Sequence, residues 1–508
     1  MKKIIILFCV CFVTIATFAQ KELHNWTFGQ NCGLTWNTTR SADCTGEAGT
    51  ANATLDGLPT FFRSSIYTTE GCFSLSDKDG NLLFYSDGIK LWDKNNTEVT
   101  DKDTRFTGSS TSAQSGILLP YPGYPDRYLA VTVGYWLANN LSYSVINMNT
   151  STGLPELDLS QLNVLFQNGS GKSGESVSAV LHENGTDYWI IGIGRDLSLN
   201  RAYLNAWLLT KDGVSATPVV TPFYHAQSNA TPDQSRGYLK LTPDGKYFAW
   251  ATFTANSFHI GNFDPSTGTF SNIKQTTMIN GAKLDEPYGV EFSIDQSLLY
   301  LTDKKGLYVY KTDAIYTGST LLNAPAKTFT ISNMFSTGLQ MAPDGRIYWA
   351  CGYAGWLRII DNTNDFDNIK VYKAPSDFLE SGTTVMTGLP SFSPSWFSIS
   401  EVSENVKGCR GYGATYSVKV GMKGDPSTYP TKLVWDFGDS SGLVEQAIVS
   451  GVEDYSLAHA FTASGEYTVT VTPYRANGSA LAKTQFKTQI KDCLVRVNRN
   501  VRSNLRGQ

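Results

Sequence analysis

The chain has 508 residues and a net charge of −4, with 12% aromatic residues. Mild acidity argues against a nucleic-acid binder, which presents a basic face, and the length asks for more than one domain. Gly, Ser, Thr, Asn and aromatics abound while long Ala/Glu/Lys/Leu stretches are missing, which is the composition of an all-β protein.

The chain opens with Lys2 and Lys3, an apolar run from Ile4 to Ile15, and the small-x-small signal Thr17-Phe18-Ala19. This pattern predicts a cleavable signal peptide over 1–19, too short for a membrane span. Its removal takes the charge from −4 to −6. No later run reaches about 18 apolar residues, so the mature chain is expected to be soluble, not membrane-spanning, and secreted or at the cell surface. Six cysteines remain: Cys32, Cys44, Cys72, Cys351, Cys409 and Cys493. Export favours pairing. Proximity suggests a Cys32–Cys44 disulfide, and bracketing of one apparent domain suggests Cys409–Cys493. Cys72 and Cys351 fall on expected interior strands and read as buried free thiols.

A glycine-led strand, a turn and an aromatic-bearing strand recur along the chain. First strands begin at Gly71, Gly116, Ser176, Gly237, Gly289, Gly338 and Gly388. Turns follow at Asp79-Gly80, Pro122-Gly123, Asn184-Gly185, Asp244-Gly245, Asp295-Gln296, Asp344-Gly345 and Ser393-Pro394. Asn and Asp tolerate positive φ and brace their own backbone, so these aspartates read as turn residues rather than catalysts. Second strands follow six of these turns and third strands are also visible, as in Tyr247 to Trp250 and Phe258 to Phe263. Units of this size are propeller blades. The last copy lacks room for four strands, while Asn25-Trp-Thr-Phe28 and Gly33-Leu-Thr-Trp36 are strands without a blade. A β-propeller over 20–402 is therefore expected, seven-bladed and closed by N- and C-terminal strands. Six blades with a separate N-terminal hairpin is the alternative.

From Ser403 the strands become short and alternating, and residues 403–494 predict a β-sandwich with a basic tail over 495–508. Trp435-Asp-Phe-Gly-Asp439, His459-Ala-Phe461 and Gly465-Glu-Tyr-Thr-Val469 resemble a polycystic-kidney-disease-type (PKD) immunoglobulin-like domain. His24 to Leu34, Glu70 to Asp77 and Gly388 to Phe392 resemble secreted bacterial proteins that join a WD40/TolB-like propeller to PKD modules. The resemblance implies a secreted or surface location and brings no established catalytic residues. The basic tail stands where such proteins often carry a secretion-sorting domain.

Motifs of catalysis are weak. Gly438-Asp-Ser-Ser-Gly442 has a serine-hydrolase spacing but falls in a hairpin of the sandwich. Gly171-Lys-Ser173 lacks the upstream glycine of a phosphate loop. Asp77 to Asn81 does not fit an EF-hand, and Asp361 to Asp367 reads as a solvated turn. The five histidines show no metal-ligand spacing.

What remains is the ring face shared by the first-strand inlets and the second-to-third-strand loops. Glu70, Asp87, Tyr135, Trp136, Glu175, Arg195, Tyr353 and Trp356 are the expected ligand-binding residues there. Aromatics beside convergent polar groups suit a ligand pocket, set against the plainer reading that they pack between blades. No cofactor is called for, Ca2+ held by Glu70, Glu175 and Glu286 in the channel being the one exception considered. The expectation is an exported, non-enzymatic protein that recognises a glycan or a cell-surface protein, with the sandwich as spacer or adhesive module. The alternatives are a glycoside hydrolase or polysaccharide lyase using the same face, and a structural part of a surface assembly. Oligomeric state is left open.

Overall fold

The computed structural model describes residues 21–397 and 408–491, apart from 78, 136–140, 197–198, 200, 226–235, 254, 332–334, 411–413, 421–428, 450–451 and 482. The repeat becomes a β-propeller. Among the described residues its sheets begin at the inner strands Phe73–Ser76, Gly116–Tyr121, Lys172–Leu181, Leu239–Leu241, Val290–Phe292 and Leu339–Met341. Each inner strand pairs antiparallel with the next strand in the chain, and the order continues outward, as in Leu239–Leu241, Tyr247–Thr252, Ser257–Asp264 and Thr269–Thr276.

The turns form for the local reason the sequence suggests. Gly80, Gly123, Gly185, Gly245, Gln296 and Gly345 all have positive φ. Asp244 Oδ1 accepts the Thr242 hydroxyl at 2.7 Å and the Lys246 N–H at 3.1 Å. Asp295 braces Ser293 and Ser297 in the same way. In the first copy the brace is Asp77, which accepts the N–H groups of Asp79 and Asn81. The Ser393-Pro394 pair differs: Pro394 opens a short 3-10 turn over Pro394–Phe397.

Both ends of this unit meet. Asn25–Phe28 is fully buried and forms a hairpin with the long strand Cys32–Glu47. That strand also pairs with Ala53–Phe61, and its last residues, Thr45 to Glu47, pair with Lys370–Lys373 on the outer edge of the sheet that starts at Leu339. Asn25 bonds Ser74 and Ser76 of the sheet starting at Phe73. Trp26 lies edge-on to Tyr348 of the sheet starting at Leu339, with centroids 5.6 Å apart. The N-terminal strand thus sits between the sheets that start at Leu339 and Phe73. From the C-terminal side, the backbone of Thr384 exchanges hydrogen bonds with Gln30.

The segment Thr387–Ser395 does not become a blade strand. It runs through the centre of the ring and touches several sheets in turn. The Thr387 N–H bonds the Thr69 carbonyl, and its carbonyl accepts the Gly338 N–H. Tyr238 OH accepts the Leu389 N–H at 2.8 Å and donates to the Leu389 carbonyl at 3.2 Å. The Ser391 N–H bonds Cys72, Ser393 Oγ donates to Ala179 O, and Ser395 Oγ accepts the Leu181 N–H. Gly388 is required at this crossing, because a Cβ there would run into the Glu70 carbonyl.

Residues 408–491 form a separate β-sandwich. One sheet has the order Gly408–Cys409, Thr484–Lys491, Gly465–Arg475, Pro430–Asp436, Leu443–Ala447, and faces the pair Ala414–Lys419 and Asp454–His459. Tyr416, Trp435, Phe437, Phe461 and Val469 fill its core. Ser440 and its neighbours make a turn in which Asp439 accepts the Ser441 N–H and bonds His459 Nε2 at 2.7 Å. Burial opposes the charge on Asp439, but Ser441 and His459 hold its carboxyl below the usual range. The histidine engages the aspartate through Nε2 and stacks on Phe437 at 4.0 Å, so this hydrolase-like spacing is a braced hairpin.

The Cys32–Cys44 disulfide is corrected by the fold. Both residues lie in the one strand Cys32–Glu47, where twelve residues of extended chain separate them by roughly 40 Å. Cys32, Cys44, Cys72 and Cys351 are free and buried. Burial pushes the thiols of Cys32 and Cys44 up to about 11 and that of Cys351 to about 12, which makes them poor nucleophiles. Cys409 stands opposite Lys491 in a parallel pair, while Cys493 lies outside the described residues.

Candidate binding face

The inlet end of the ring gathers polar groups from several inner strands. Glu70 precedes the strand Phe73–Ser76, Glu175 lies in Lys172–Leu181, Arg236 precedes Leu239–Leu241, and Tyr288 precedes Val290–Phe292. Arg236 Nη1 pairs with Glu70 Oε1 at 3.5 Å, and its guanidinium lies 3.9 Å over the Phe253 ring. Tyr288 is 1% exposed, its ring packs on Tyr238 and Phe253, and its hydroxyl has no hydrogen-bond partner among the described residues. Burial pushes the Tyr288 phenol well up, and Glu70 and Glu175 add to the effect. The phenol therefore stays neutral, a hydrogen-bond donor beside two carboxylates.

These groups close one end of a filled ring. Gln114 reaches across it and bonds both the N–H and carbonyl of Leu239. Deeper, Lys240, Glu291 and Gln340 stand at matching positions in successive inner strands. Lys240 bonds Glu291 at 2.9 Å and also Gln340, while Glu291 accepts the Met341 N–H. Such a network is satisfied by its own members and fixes the register of the strands.

Glu70, Glu175 and Glu286 do not gather into one cation site. Among the described residues no three His, Cys, Asp or Glu side chains gather to hold a metal. Glu70 is paired with Arg236, and Glu286 with Lys304 at 2.6 Å.

The other expected face residues separate into two groups. Tyr135 and Tyr353 are 46% and 61% exposed. Trp136 lies outside the described residues. Asp87 is buried, and its Oδ1 accepts the N–H groups of Ile89 and Lys90 as a turn brace. Burial raises its carboxyl even against those bonds. Trp356 is half-buried beneath two cations, with Lys373 Nζ 4.3 Å and Arg358 Cζ 4.8 Å from its centroid. Arg358 in turn holds Glu47 across the N-terminal junction. Arg195 is 1% exposed, and burial pulls its guanidinium down to about 10. It lies beside a buried histidine pair, His225 and His259, rather than on the surface.

Two features of the face were not anticipated. Tyr67 and Phe335 are 63% and 57% exposed. The Phe335 and Tyr353 rings meet at 5.4 Å and 64°. Gln30 pairs with both Tyr67 and Thr384, and Ala354 pairs with Val385, so backbone bridges lead from Tyr67 to the neighbour of Tyr353. Their exposure depends on long-range pairing that single-sequence periodicity does not encode.

Comparison with known proteins agrees with the second domain. Residues 408–490 match the family described as PKD domain. No curated protein matches the chain. Among solved structures, the Dos1 propeller is 12% identical, with 74% of this chain and 90% of that chain covered and a TM-score of 0.39. Hsv2 of Kluyveromyces lactis is 10% identical, covering 69% and 96%, with a TM-score of 0.36. The periplasmic gluconolactonase of Pseudomonas aeruginosa is 12% identical, covering 79% and 92%, with a TM-score of 0.34. No helix among the described residues is long and apolar enough to cross a membrane. The sheets arranged around residues 387–395 and the match over 408–490 describe a β-propeller followed by a PKD domain.

Proposed function

We propose that this is an exported, non-enzymatic binding protein whose propeller, over 20–402, recognises a glycan or protein partner through its inlet face. The PKD domain, over 403–494, then serves as a spacer or adhesive module. The ring is read as seven-bladed, with Asn25–Phe28, Cys32–Glu47 and Ala53–Phe61 as the seventh sheet. The observation that carries the function is the contrast at the inlet end. The ring centre is filled by residues 387–395 and Glu70 is held by Arg236, while exposed aromatic rings stand around them. Such a surface offers contact area rather than a cleft that strips water from a reacting bond. The lysine-led apolar run over 1–19 and the PKD match support export.

The test runs binding and turnover side by side. The mature chain is offered panels of soluble polysaccharides and surface proteins, with new reducing ends and unsaturated products measured in the same wells. Saturable binding without product supports the proposal. Product formation that disappears on Glu70→Gln or Glu175→Gln would replace it with a hydrolase or lyase reading.

A further inference from the structure

We propose that Lys240 and Gln340 become joined by an isopeptide bond inside the folded propeller, with Glu291 as the proton carrier. The three are the middle residues of the inner strands Leu239–Leu241, Leu339–Met341 and Val290–Phe292. Each stands five residues before the turn position of its own repeat, Gly245, Gly345 or Gln296. The same place in other copies is apolar, namely Leu75, Leu118 and Val180. An amine, a carboxamide and a carboxylate thus enter three successive sheets where the repeat elsewhere takes an aliphatic side chain.

Their contacts are those that aminolysis of an amide needs. Lys240 Nζ lies 2.5 Å from Gln340 Oε1 and 2.9 Å from Glu291 Oε2, so electrophile and base meet at one nucleophilic nitrogen. The lysine has donors and no acceptor, so the oxygen of the carboxamide is the atom that faces it. Gln340 Nε2 donates instead to the Met341 carbonyl, and Glu291 accepts the N–H groups of Phe292 and Met341. These bonds hold both partners on their strands, which removes the entropy of encounter from the reaction. Lys240, Glu291 and Gln340 are 3%, 5% and 0% exposed, so bulk water is kept from the reacting groups.

The step balances without an oxidant or an added reagent. The Lys240 ammonium passes one proton to Glu291 Oε2, and the amine so freed adds to Gln340 Cδ. Glu291 returns that proton to Nε2 and then carries a second proton from Nζ to the same atom. The Nζ–Cδ bond has formed, the Cδ–Nε2 bond breaks, and nitrogen leaves as ammonium. One positive charge stands on each side of the reaction, and Glu291 ends as the carboxylate it was. The product is a neutral secondary amide that ties residues 100 apart in the chain and spans the sheet of Glu291. It reinforces the inner ring and involves none of the exposed rings.

The test is tryptic peptide mapping of the full mature chain by mass spectrometry. Acylated Lys240 resists trypsin, so residues 237–246 should appear as a branched peptide joined to residues 328–346. Its mass should be about 17 Da below the sum of the two, the ammonia lost in the step. Glu291→Gln and Gln340→Met, which keep the side-chain volume, should each lower the yield of that peptide about tenfold or more. In both, residues 237–240 should be released as a free peptide. Linear peptides alone from the folded wild type would overturn the proposal, whether or not the variants fold. A branched peptide undiminished in either variant would overturn it as well. Binding of a glycan or a protein is not read in this experiment, so its failure leaves the binding reading where it stands.

Discussion

Acid should loosen the propeller at a defined pair of side chains. His225 Nδ1 and His259 Nε2 are 3.1 Å apart, both residues are fully buried, and His259 also contacts Gln275 Oε1 at 2.9 Å. The two rings stack on each other and on Trp250, and Arg195 lies near both. Burial, then the neighbouring cationic groups, pulls His225 far below its ordinary value. Burial pulls His259 down to about 3. Above pH 6.5 both histidines are neutral whether the chain is folded or not, and the pair contributes no pH dependence. Below pH 6.5 the unfolded chain takes up protons that the folded chain refuses, so stability falls as pH falls toward about 3. Well below pH 6.5 each histidine contributes about 1.4 kcal/mol per pH unit, so the pair should cost about 4 kcal/mol between pH 7 and 5. Asp87, Asp295 and Asp303, whose carboxyls burial raises, act in the opposite sense as pH falls, and the histidine variant keeps them in place as its own control. Urea melts followed by tryptophan fluorescence at pH 7, 6 and 5 test this against a His225→Gln/His259→Gln variant. The wild-type propeller should lose most of that amount and the variant less than about 1 kcal/mol. Equal slopes for the two proteins would refute the reasoning.

Further outcomes follow from the filled ring and the thiols. Tyr238→Phe removes the hydroxyl that serves both backbone groups of Leu389. With a buried N–H left unsatisfied, the propeller should lose about 1–3 kcal/mol in a urea melt. Cys32, Cys44, Cys72 and Cys351 should resist a thiol reagent in the folded protein and react once it is unfolded in guanidinium. Four reactive thiols in the unfolded mature chain would mean that Cys409 and Cys493 are paired, and six that they are not. Trp435→Ala empties the centre of the sandwich core and should destabilise residues 408–490 by about 3–5 kcal/mol, measured as proteolytic susceptibility of that segment.

The parts of the fold that were legible in the sequence are those with local causes. Gly245, Gly345 and their counterparts announce turns because a positive φ is a property of a few neighbouring residues. Trp435, His459 and Phe461 announce the sandwich because they resemble the motif of a PKD domain. Parts that depend on distant partners were not legible. Cys32 and Cys44 look like a short loop until Cys32–Glu47 is seen as one strand, long enough to join Asn25–Phe28 to Lys370–Lys373. Gly388 to Phe392 has the composition of an inner strand, yet Tyr238, Cys72 and Ala179 draw it through the centre. Trp356 and Tyr353 are three residues apart and similar in kind. Arg358 and Lys373 cover the first and leave the second exposed. Tyr67 and Phe335 carried no local signal, because solvent exposure of a ring is set by everything around it.

Which surface meets the ligand is the central claim, because the PKD domain offers its own exposed apolar groups. Leu443, at 66% exposure, and Val444 lie on the edge strand Leu443–Ala447, and Val449 follows it. Hydroxyl-radical footprinting of the mature chain, alone and saturated with a polysaccharide or surface protein that it binds, separates the two. Protection at Tyr67, Phe335 and Tyr353, with Leu443 and Val449 unchanged, is the predicted result. Protection confined to residues 408–490 would contradict it.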